Sequence, residues 1–378
     1  MAAIVSAGFA RFGKRKDSIM DIAAESAMPV VRSHRDEIDF ALVSNCYSGE
    51  FNGISGINNL LTTYLSMDAV PSIRIDNTSG SGGAALFTAV SLVESGRARC
   101  VLLTGVEKMS ERPTKEVTRI ISSLLGDREK AAGPSLPSFA GLLTTLYMRE
   151  FAATRESIAQ VAVKNHRNGA LNPNAHIQKV LTLEQVLQSN VIIDPLRLFE
   201  ISPISDGAVS LLVVPDPEAP SFTDKPVHVK GIGMSSESSH LTARETLTDM
   251  PSVRRAGEIA RRESGIDRPD LAELHDMATV LEIVEMESLG FYPRGEGWKA
   301  VLEGKTEIGG ELPVNTSGGL NSKGHPIGAS GVAQAAEVYL QLTGGAGGRQ
   351  VRDARTGMAV SMAGFGNSAT AAMMGLEK

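Results

Sequence analysis

Apolar and polar positions alternate along this chain in two patterns, which predict strands and helices in turn. Apolar residues at helical spacing predict a helix at Met20–Val31 and a second one that follows Gly83. Short apolar runs predict strands, which in the first half lie at Ala3–Gly8, Phe40–Ser44, Ile73–Ile75, Cys100–Gly105 and Ala208–Val214. This alternation predicts an α/β architecture built on a mostly parallel, buried sheet.

The second half of the chain repeats this outline. Its predicted elements are strands at Val227–Gly231, Leu271–Leu274 and Leu312–Asn315, and helices at Ser252–Arg262, Thr279–Leu289 and Val332–Leu340. The tetrapeptide Asn-Thr-Ser-Gly follows a predicted strand in both halves, beginning at Asn77 and at Asn315. Because prolines between Pro215 and Pro226 mark a linker, we predict two duplicated halves that face each other, residues 1–215 and 222–378.

The pattern changes between residues 111 and 202. Gly133, Pro134 and Pro137 mark a loop, and helical spacing follows at Phe139–Phe151 and Glu156–Arg167. This region predicts an inserted loop domain that lies over the core and forms a lid or the wall of a substrate channel.

Two glycine-rich turns carry the candidate chemistry. The first places Ser79 ahead of a helix N-terminus, where free backbone N–H groups favour negative charge; a plain helix cap is the alternative interpretation. The second turn, Gly318–Gly331, contains the single histidine His325. If the two halves face each other, these two turns meet.

Composition limits the classes of function. The chain has 378 residues and a net charge of −6, without a basic cluster, which argues against a nucleic-acid partner. Cys46 and Cys100 are the only cysteines and have no metal-ligand spacing, so we expect no metal site and a reducing, cytoplasmic environment. No apolar run is long enough to predict a membrane span.

Six segments, in order along the chain, resemble the thiolase superfamily, and specifically its sterol-carrier-protein thiolase-like branch, which includes acetyl-CoA acetyltransferases. The segments are Gly105–Met109, Lys164–Asn168, Asp194–Leu198, Ser202–Ala208, Leu274–Thr279 and Lys323–Gly331. The resemblance implies a five-layered α-β-α-β-α fold with an inserted loop domain, an acyl-CoA substrate and a homodimer or homotetramer. It implies no cofactor beyond the coenzyme A of the substrate.

The resemblance also implies roles for single residues. Ser79 stands at the position of the acyl-accepting cysteine, His325 at that of the activating histidine, and His275 at that of an oxyanion-hole residue. The backbone of Ser79, Ala363 and Gly364 is expected to hold an oxyanion. The residues expected to contact the substrate are Met277, Asn315, Gly324 and Ser361, the last at the position of a second catalytic cysteine.

Serine at both cysteine positions leaves the reaction open. Ser79 is a natural nucleophile in one interpretation and an engineered Cys-to-Ser change in another. In a third interpretation His275 and His325 catalyse a non-covalent acyl-CoA aldol reaction, or the chain is a binding subunit that works with a zinc-ribbon/OB-fold partner. The first interpretation, an acyl-CoA acyltransferase of the thiolase type, is the expectation that we follow.

Overall fold

The computed structural model describes residues 1–376, so residues 377 and 378 of the predicted C-terminal half lie outside the described part. Its strands are β1 Ala2–Gly13, β2 Phe40–Ser44, β3 Ser72–Ile75, β4 Val101–Lys108, β5 Val191–Ile193, β6 Leu196–Arg197, β7 Asp206–Pro215, β8 Val227–Ser236, β9 Ala272–Glu273, β10 Thr356–Ala363 and β11 Ser368–Gly375.

The α-helices over the same residues are α1 Ile19–Arg32, α2 Ser48–Asn52, α3 Ile57–Tyr64, α4 Ser81–Glu94, α5 Thr114–Ile121, α6 Asp127–Ala131, α7 Leu136–Phe151, α8 Arg155–Ala170, α9 Leu183–Leu187, α10 Pro251–Ser264, α11 Thr279–Ser288, α12 Gly297–Leu302 and α13 Ile327–Thr343. Among these helices, none combines the length and the apolar character required to cross a membrane.

Nine strands form one mixed sheet in the order β3-β2-β4-β7-β1-β8-β11-β10-β9. Only the pairs β2–β3, β2–β4 and β9–β10 are parallel, so the expectation of a mostly parallel sheet was wrong. The expectation assumed that a helix returns the chain after every strand. Instead, the long insertion lets β7 run antiparallel to β4, and β10 and β11 form an antiparallel hairpin that the sequence did not predict.

The sheet has two halves on opposite sides of the central helices α4 and α13. Each of these helices contacts strands of both halves, while α1 covers β1, β4 and β7, and α10 covers β8 and β11 on the outside. The halves join where β1 pairs with β8 over Ala2, Ala3 and Ile4. The resulting helix, sheet, helix, sheet and helix layers confirm the predicted five-layered architecture.

Glycines allow the two central helices to touch at their N-terminal turns. A Cβ atom on Gly82 would lie 2.5 Å from the Val332 backbone nitrogen, and one on Gly331 would lie 2.7 Å from the Gly83 backbone nitrogen. Real Cβ atoms do not approach backbone so closely, so only glycine permits this contact. The turns that precede α4 and α13 are therefore held side by side at the centre of the molecule.

The insertion between β4 and β7 packs mainly against the second half. Its apolar residues Phe139, Leu143 and Tyr147 belong to the same core cluster as Val284 of α11 and Met358 of β10. Helix α8 also packs against the segment Gly319–Lys323, which precedes α13. The insertion thus forms a wall beside the turn that carries His325.

The predicted strand Leu312–Asn315 was wrong in its extent. This segment forms a single parallel bridge, between Val314 and Ala272, although its backbone hydrogen bonds with Ala272 hold it beside β9. The pairing ends at this point because Asn315 leaves the extended conformation, with a φ of 55°. The two hydrogen bonds with Ala272 are too few to make the segment a strand.

Candidate active site

One cavity of about 460 Å³ contains both Ser79 and His325 in its lining. Most of its wall is apolar, with residues from the insertion and from both central turns. The apolar lining includes Met109, Ile121, Leu136, Phe199, Met277 and Ile327. The two glycine-rich turns thus share an apolar pocket of the size that holds a small ligand.

The first turn holds Ser79 at the base of α4. Thr78 adopts a left-handed φ of 48°, and the Ser81 hydroxyl accepts from the Asn77 amide at 2.7 Å and donates to the Thr78 carbonyl at 2.6 Å. Ser81, and not Ser79, therefore stabilises the turn. Ser79 is 6 % exposed, and within residues 1–376 its side chain makes no hydrogen bond, so its hydroxyl is available in the cavity.

His325 is oriented by Ser330, one turn into α13. The His325 Nδ1 atom lies 2.7 Å from the Ser330 hydroxyl oxygen, which itself lies 2.9 Å from the Pro326 carbonyl oxygen. When Ser330 donates to this carbonyl, Nδ1–H of His325 donates to Ser330 and the lone pair of Nε2 is free. Burial and the nearby Lys323 lower the pKa of His325 to about 3, so the ring is neutral at pH 7.

His275 lies against His325 rather than on the cavity wall. The two ring centroids are 5.0 Å apart, and the rings meet edge to face at 86°. Within residues 1–376, neither ring nitrogen of His275 has a hydrogen-bond partner, and its side chain is fully buried. Burial lowers the pKa of His275 well below its usual value, as do His325 and Lys323, so this ring is also neutral.

Asp276, next to His275 in the chain, does not orient the imidazole. Its carboxylate accepts from the Asn165 amide at 2.8 Å and from the Leu320 backbone at 2.7 Å. Burial raises the pKa of Asp276 well above its usual value, as does the neighbouring Glu282. Asp276 therefore ties helix α8 to the turn before His325.

Asn315, predicted to contact the substrate, lies in a buried network behind the cavity. Its side-chain oxygen accepts from the Leu274 backbone at 2.7 Å, and its amide donates to Glu282 at 2.7 Å. Glu282 in turn pairs with Lys164 at 2.8 Å. These bonds fix the strand end that carries His275, which is a structural contact and not a contact with the cavity.

Ser361 and Gly324 also lie outside the cavity lining. A Cβ atom on Gly331 would lie 2.4 Å from the Ser361 Oγ atom, so this hydroxyl lies between α4 and α13. The Ser361 Oγ atom is buried and has no hydrogen-bond partner within residues 1–376. Gly324, with a φ of 107°, shapes the turn next to His325. Met277, in contrast, lines the cavity as its predicted role requires.

Two of the predicted oxyanion residues lie at the end of β10 and directly after it, namely Ala363 and Gly364, close to the Ser79 turn. A Cβ atom on Gly80 would lie 3.2 Å from the Ala363 amide nitrogen. Gly364 adopts a left-handed φ of 56° in the turn between β10 and β11. The structure thus brings the Ala363 amide next to the Ser79 turn, and the roles of both residues stay predictions.

Sequence reasoning missed three polar residues of the cavity lining. His176 has Nδ1 2.8 Å from the Ser205 hydroxyl, while His166 and Asn321 carry side-chain nitrogen and oxygen atoms without partners within residues 1–376. His166 lies in a segment that resembles the family, which is a weak signal in the sequence, whereas no signal indicates Asn321. Asn321 reaches the cavity only because the turn Gly319–Lys323 packs against α8.

A shallow groove lies beside the cavity and shares Thr118 with it. Three cationic residues of the insertion line this groove, namely Lys115, Arg119 and Lys130. Arg112, a further cation of the insertion, instead donates to the Phe51 carbonyl at 3.1 Å. The groove therefore offers positive charge at one side of an apolar pocket.

The chain matches two protein-family models and several known proteins. The "Thiolase, N-terminal domain" family model matches residues 2–216, and the "Thiolase C-terminal domain-like" model matches residues 233–376. The chain is 36 % identical to the acetyl-CoA acetyltransferase of Methanothermobacter thermautotrophicus over 97 % of both chains. It is 30 % identical to sterol carrier protein 2 of Bos taurus, over 94 % of this chain and 68 % of that protein.

Two solved structures share the fold. A chain of the Ltp2-ChsH2(DUF35) aldolase superposes with a TM-score of 0.85 at 23 % identity, covering 100 % of this chain and 98 % of the other. Human mitochondrial 3-ketoacyl-CoA thiolase superposes with a TM-score of 0.74 at 16 % identity, covering 100 % and 99 %. Together with the two family models, these matches show that the chain belongs to the thiolase family.

Proposed function

We propose that this protein is an acyl-CoA acyltransferase of the thiolase type, with Ser79 as the acyl acceptor. The observation that carries the proposal is the shared cavity of Ser79 and His325, with the His275 ring against His325. The similarity to acetyl-CoA acetyltransferases over almost the whole chain supports the same reaction class.

The histidine supplies the base for the first step. Neutral His325 takes the proton of the Ser79 hydroxyl through Nε2 while the serine oxygen attacks the thioester carbonyl. The carbon–sulfur bond then breaks, and the imidazolium returns the proton to the departing coenzyme A thiolate. The product is an acyl ester on Ser79, from which an acceptor takes the acyl group. General-base help of this kind contributes roughly 10² to 10⁴ in rate.

Backbone amides near the serine would hold the negative charge of the tetrahedral intermediate. The Ala363 amide nitrogen lies beside the Ser79 turn, and Gly364 follows it. Each such donor is worth roughly 3 to 4 kcal/mol in the transition state. Once His325 has taken the Ser79 proton on Nε2, this N–H group would also donate to the oxyanion, and the neutral His275 ring lies against His325.

Coenzyme A would lie across the insertion with its phosphates in the cationic groove. Lys115, Arg119 and Lys130 line this groove, and Thr118 connects it to the reacting cavity. Cationic side chains at a surface groove recognise phosphate through charge-assisted hydrogen bonds. The acyl chain would then enter the apolar cavity.

Self-association through the edge strand β3 is part of this proposal. This strand ends the nine-stranded sheet, and its neighbourhood exposes apolar side chains of Leu60, Tyr64 and Ile73. An open, apolar sheet edge favours pairing with a second copy. Ile73→Lys is expected to convert a dimer or tetramer to a smaller species, as measured by sedimentation velocity.

A mass measurement tests the acyl transfer. Incubation with acetyl-CoA, followed by intact-protein mass spectrometry, is expected to show a gain of one acetyl group that Ser79→Ala abolishes. Ser317→Ala serves as the matched control, because Ser317 has the same sequence context but lies outside the cavity. If the wild-type protein never gains the mass of an acetyl group, the covalent proposal is wrong.

An acyl-CoA aldolase that uses the two histidines without acylation is the second candidate function. It is favoured by the site itself, because its nucleophile position carries a hydroxyl and the Ser361 hydroxyl lies outside the cavity lining. In this form the chain would work with a zinc-ribbon/OB-fold partner. Cleavage of a 3-hydroxyacyl-CoA without a mass gain, and retained in Ser79→Ala, would select this function.

A further inference from the structure

Two polar side chains in the cavity have unused hydrogen-bonding capacity. Asn321 is 1 % exposed and His166 is fully buried, and both line the cavity. Within residues 1–376, neither amide atom of Asn321 has a hydrogen-bond partner. The ring nitrogens of His166 make no hydrogen bond of ordinary geometry, although the backbone of Phe199 and Lys179 lies close enough to influence its pKa. Buried polar groups are normally paired, so each exception requires an explanation. The reaction proposed above uses neither residue.

The backbone holds Asn321 in place. It lies in a single π-helical turn, Gly319–Lys323, and such turns are frequent at functional sites. The neighbouring Leu320 amide donates to Asp276 at 2.7 Å, and the Ser322 hydroxyl donates to the Ile177 carbonyl at 2.8 Å. A Cβ atom on Gly319 would lie 2.3 Å from the Asp276 carboxylate, so the turn is closely packed. The Asn321 amide is therefore pre-organised in the cavity.

The partner missing from this pair is a neutral group. The Asn321 amide carries no charge, and burial lowers the pKa of His166 to about 4, so the imidazole is neutral at pH 7. Lys14, the cation in the lining, is an exposed side chain. Within residues 1–376, no buried cation belongs to the cavity lining, so a carboxylate would enter it without a direct cationic partner, whereas a hydroxyl can both accept and donate a hydrogen bond.

We propose that Asn321 and His166 form a subsite that binds a hydroxyl group on the acyl part of the substrate. This inference rests on the proposed binding of acyl-CoA, and it holds whichever of the two reactions follows. The surrounding wall is apolar, with Phe199 in edge-to-face contact with His166 at 5.5 Å between ring centroids. A hydroxyl bound there exchanges its hydrogen bonds to water for hydrogen bonds to Asn321 and His166. A methylene at the same place leaves both side chains without a hydrogen-bond partner.

Binding measurements on Ser79→Ala test the subsite without turnover at the serine. The probes are butyryl-CoA, 3-hydroxybutyryl-CoA and 4-hydroxybutyryl-CoA, titrated by calorimetry against the full chain. We expect one of the hydroxylated thioesters to bind about tenfold more tightly than butyryl-CoA. We expect the ratio of the affinity for this thioester to the affinity for butyryl-CoA to fall about tenfold in Ser79→Ala/Asn321→Leu. The reason is that leucine has a similar shape to asparagine but no hydrogen-bonding side-chain atoms.

Two further variants keep the test decisive. His166→Phe retains an aromatic ring and repeats the test if the leucine variant does not fold, and it is also expected to lower the ratio. Ile192→Ala, which alters the apolar lining alone, is expected to change the affinities for all three thioesters in parallel.

The outcomes separate this inference from the proposed function. Affinities for the three thioesters within threefold of each other, or a ratio that survives both Asn321→Leu and His166→Phe, overturn the hydroxyl subsite alone. Failure of every coenzyme A thioester to bind overturns the proposed acyl-CoA chemistry together with the subsite.

Discussion

The tetrapeptide Asn-Thr-Ser-Gly occurs twice in this protein, and its two serines have opposite environments. In the first turn Ser79 lies in the cavity, and within residues 1–376 its side chain makes no hydrogen bond. In the second turn Ser317 is fully buried, its hydroxyl donates to Glu273 at 2.5 Å, and its backbone nitrogen donates to the same carboxylate at 3.0 Å. A buried acid thus makes one serine structural, while the other stays available.

The backbone of the two turns differs as well. The first tetrapeptide has one left-handed residue, Thr78, whereas the second has two, namely Asn315, one position earlier, and Gly318. The chain therefore leaves the strand in different directions: the first turn enters α4 directly, whereas the second passes through the π-helical turn Gly319–Lys323 before α13. Two turns of similar sequence therefore have different proposed roles. The first carries the nucleophile, and the second leads to the base His325.

The largest expected effects come from exchanging each of the two serines for alanine, because one change should affect acylation and the other stability. Ser79→Ala removes the proposed nucleophile and should lower the acylation rate at least about 10³-fold, with little change in the free energy of unfolding. Ser317→Ala removes the hydroxyl that donates to the Glu273 carboxylate, while the backbone N–H donor remains, and should lower the free energy of unfolding by about 1 to 3 kcal/mol. Acylation kinetics and urea denaturation of both variants measure the two effects.

Equal loss of acylation in the two variants would contradict this division of roles. The same conclusion would follow if Ser79→Ala destabilised the fold as much as Ser317→Ala does.

The second prediction concerns the base that the second turn supplies. His325→Ala should slow acylation by about 10² to 10⁴-fold, since the serine hydroxyl then has no positioned base. The pKa of His325 is lowered to about 3, so the rate of the wild-type protein should show no acid limb near pH 6.5. Rates measured from pH 4 to 8 check this, and an inflection at the usual histidine pKa would contradict it.

The same lowered pKa has a consequence for stability. Because His325 binds its proton more weakly in the folded chain than in the unfolded chain, its contribution to the free energy of unfolding is fully present above pH 6.5. This contribution is lost as the pH falls from 6.5 towards 3, where both states become protonated. Urea denaturation of wild type and His325→Asn at several pH values in this range isolates the effect, and the variant should lose less stability on acidification.

Much of this architecture could be predicted from apolar periodicity. The helices α1, α7, α8, α10 and α13 and most strands of the large sheet begin within a few residues of their predicted positions. Strand direction could not be predicted, because it depends on which distant segments pair. The antiparallel contacts of β7 with β1 and β4 join residues about a hundred or more positions apart along the chain.

The site was predictable only where a residue has a distinctive local context. Ser79 and His325 stand in glycine-rich turns that precede helices, so their patterns indicated them directly. Asn321 and His176 enter the cavity because α8 and the turn before α13 pack together, and this packing leaves no trace in local sequence. Asn315 does not line the cavity, because its side chain donates to the buried Glu282 carboxylate, and local sequence does not indicate this contact.

The third prediction concerns the contact that holds the two turns side by side. Gly331→Ala puts a Cβ atom 2.4 Å from the Ser361 hydroxyl and 2.7 Å from the Gly83 backbone, so the helices must separate. We expect a loss of about 1 to 3 kcal/mol in the free energy of unfolding, together with slower acylation. Gly49→Ala, where a Cβ atom would meet nothing within 4 Å, is the matched control. Normal stability and activity of Gly331→Ala would show that the close approach is not required.

The last prediction concerns the two asparagines that begin the repeated tetrapeptides, and Asn77→Ala is expected to have the smallest effect on stability of all the variants. Asn77→Ala removes one bond of 3.2 Å from a partly exposed amide to Ser368, and should cost about 0.5 to 1.5 kcal/mol of unfolding free energy. Asn315→Ala should cost more, about 2 to 4 kcal/mol, because it removes two buried bonds and puts alanine at a φ of 55°. Thermal and urea denaturation of both variants measure the difference. Equal costs would mean that the second turn is no more tightly fixed than the first, and that the buried acids around it do not determine its conformation.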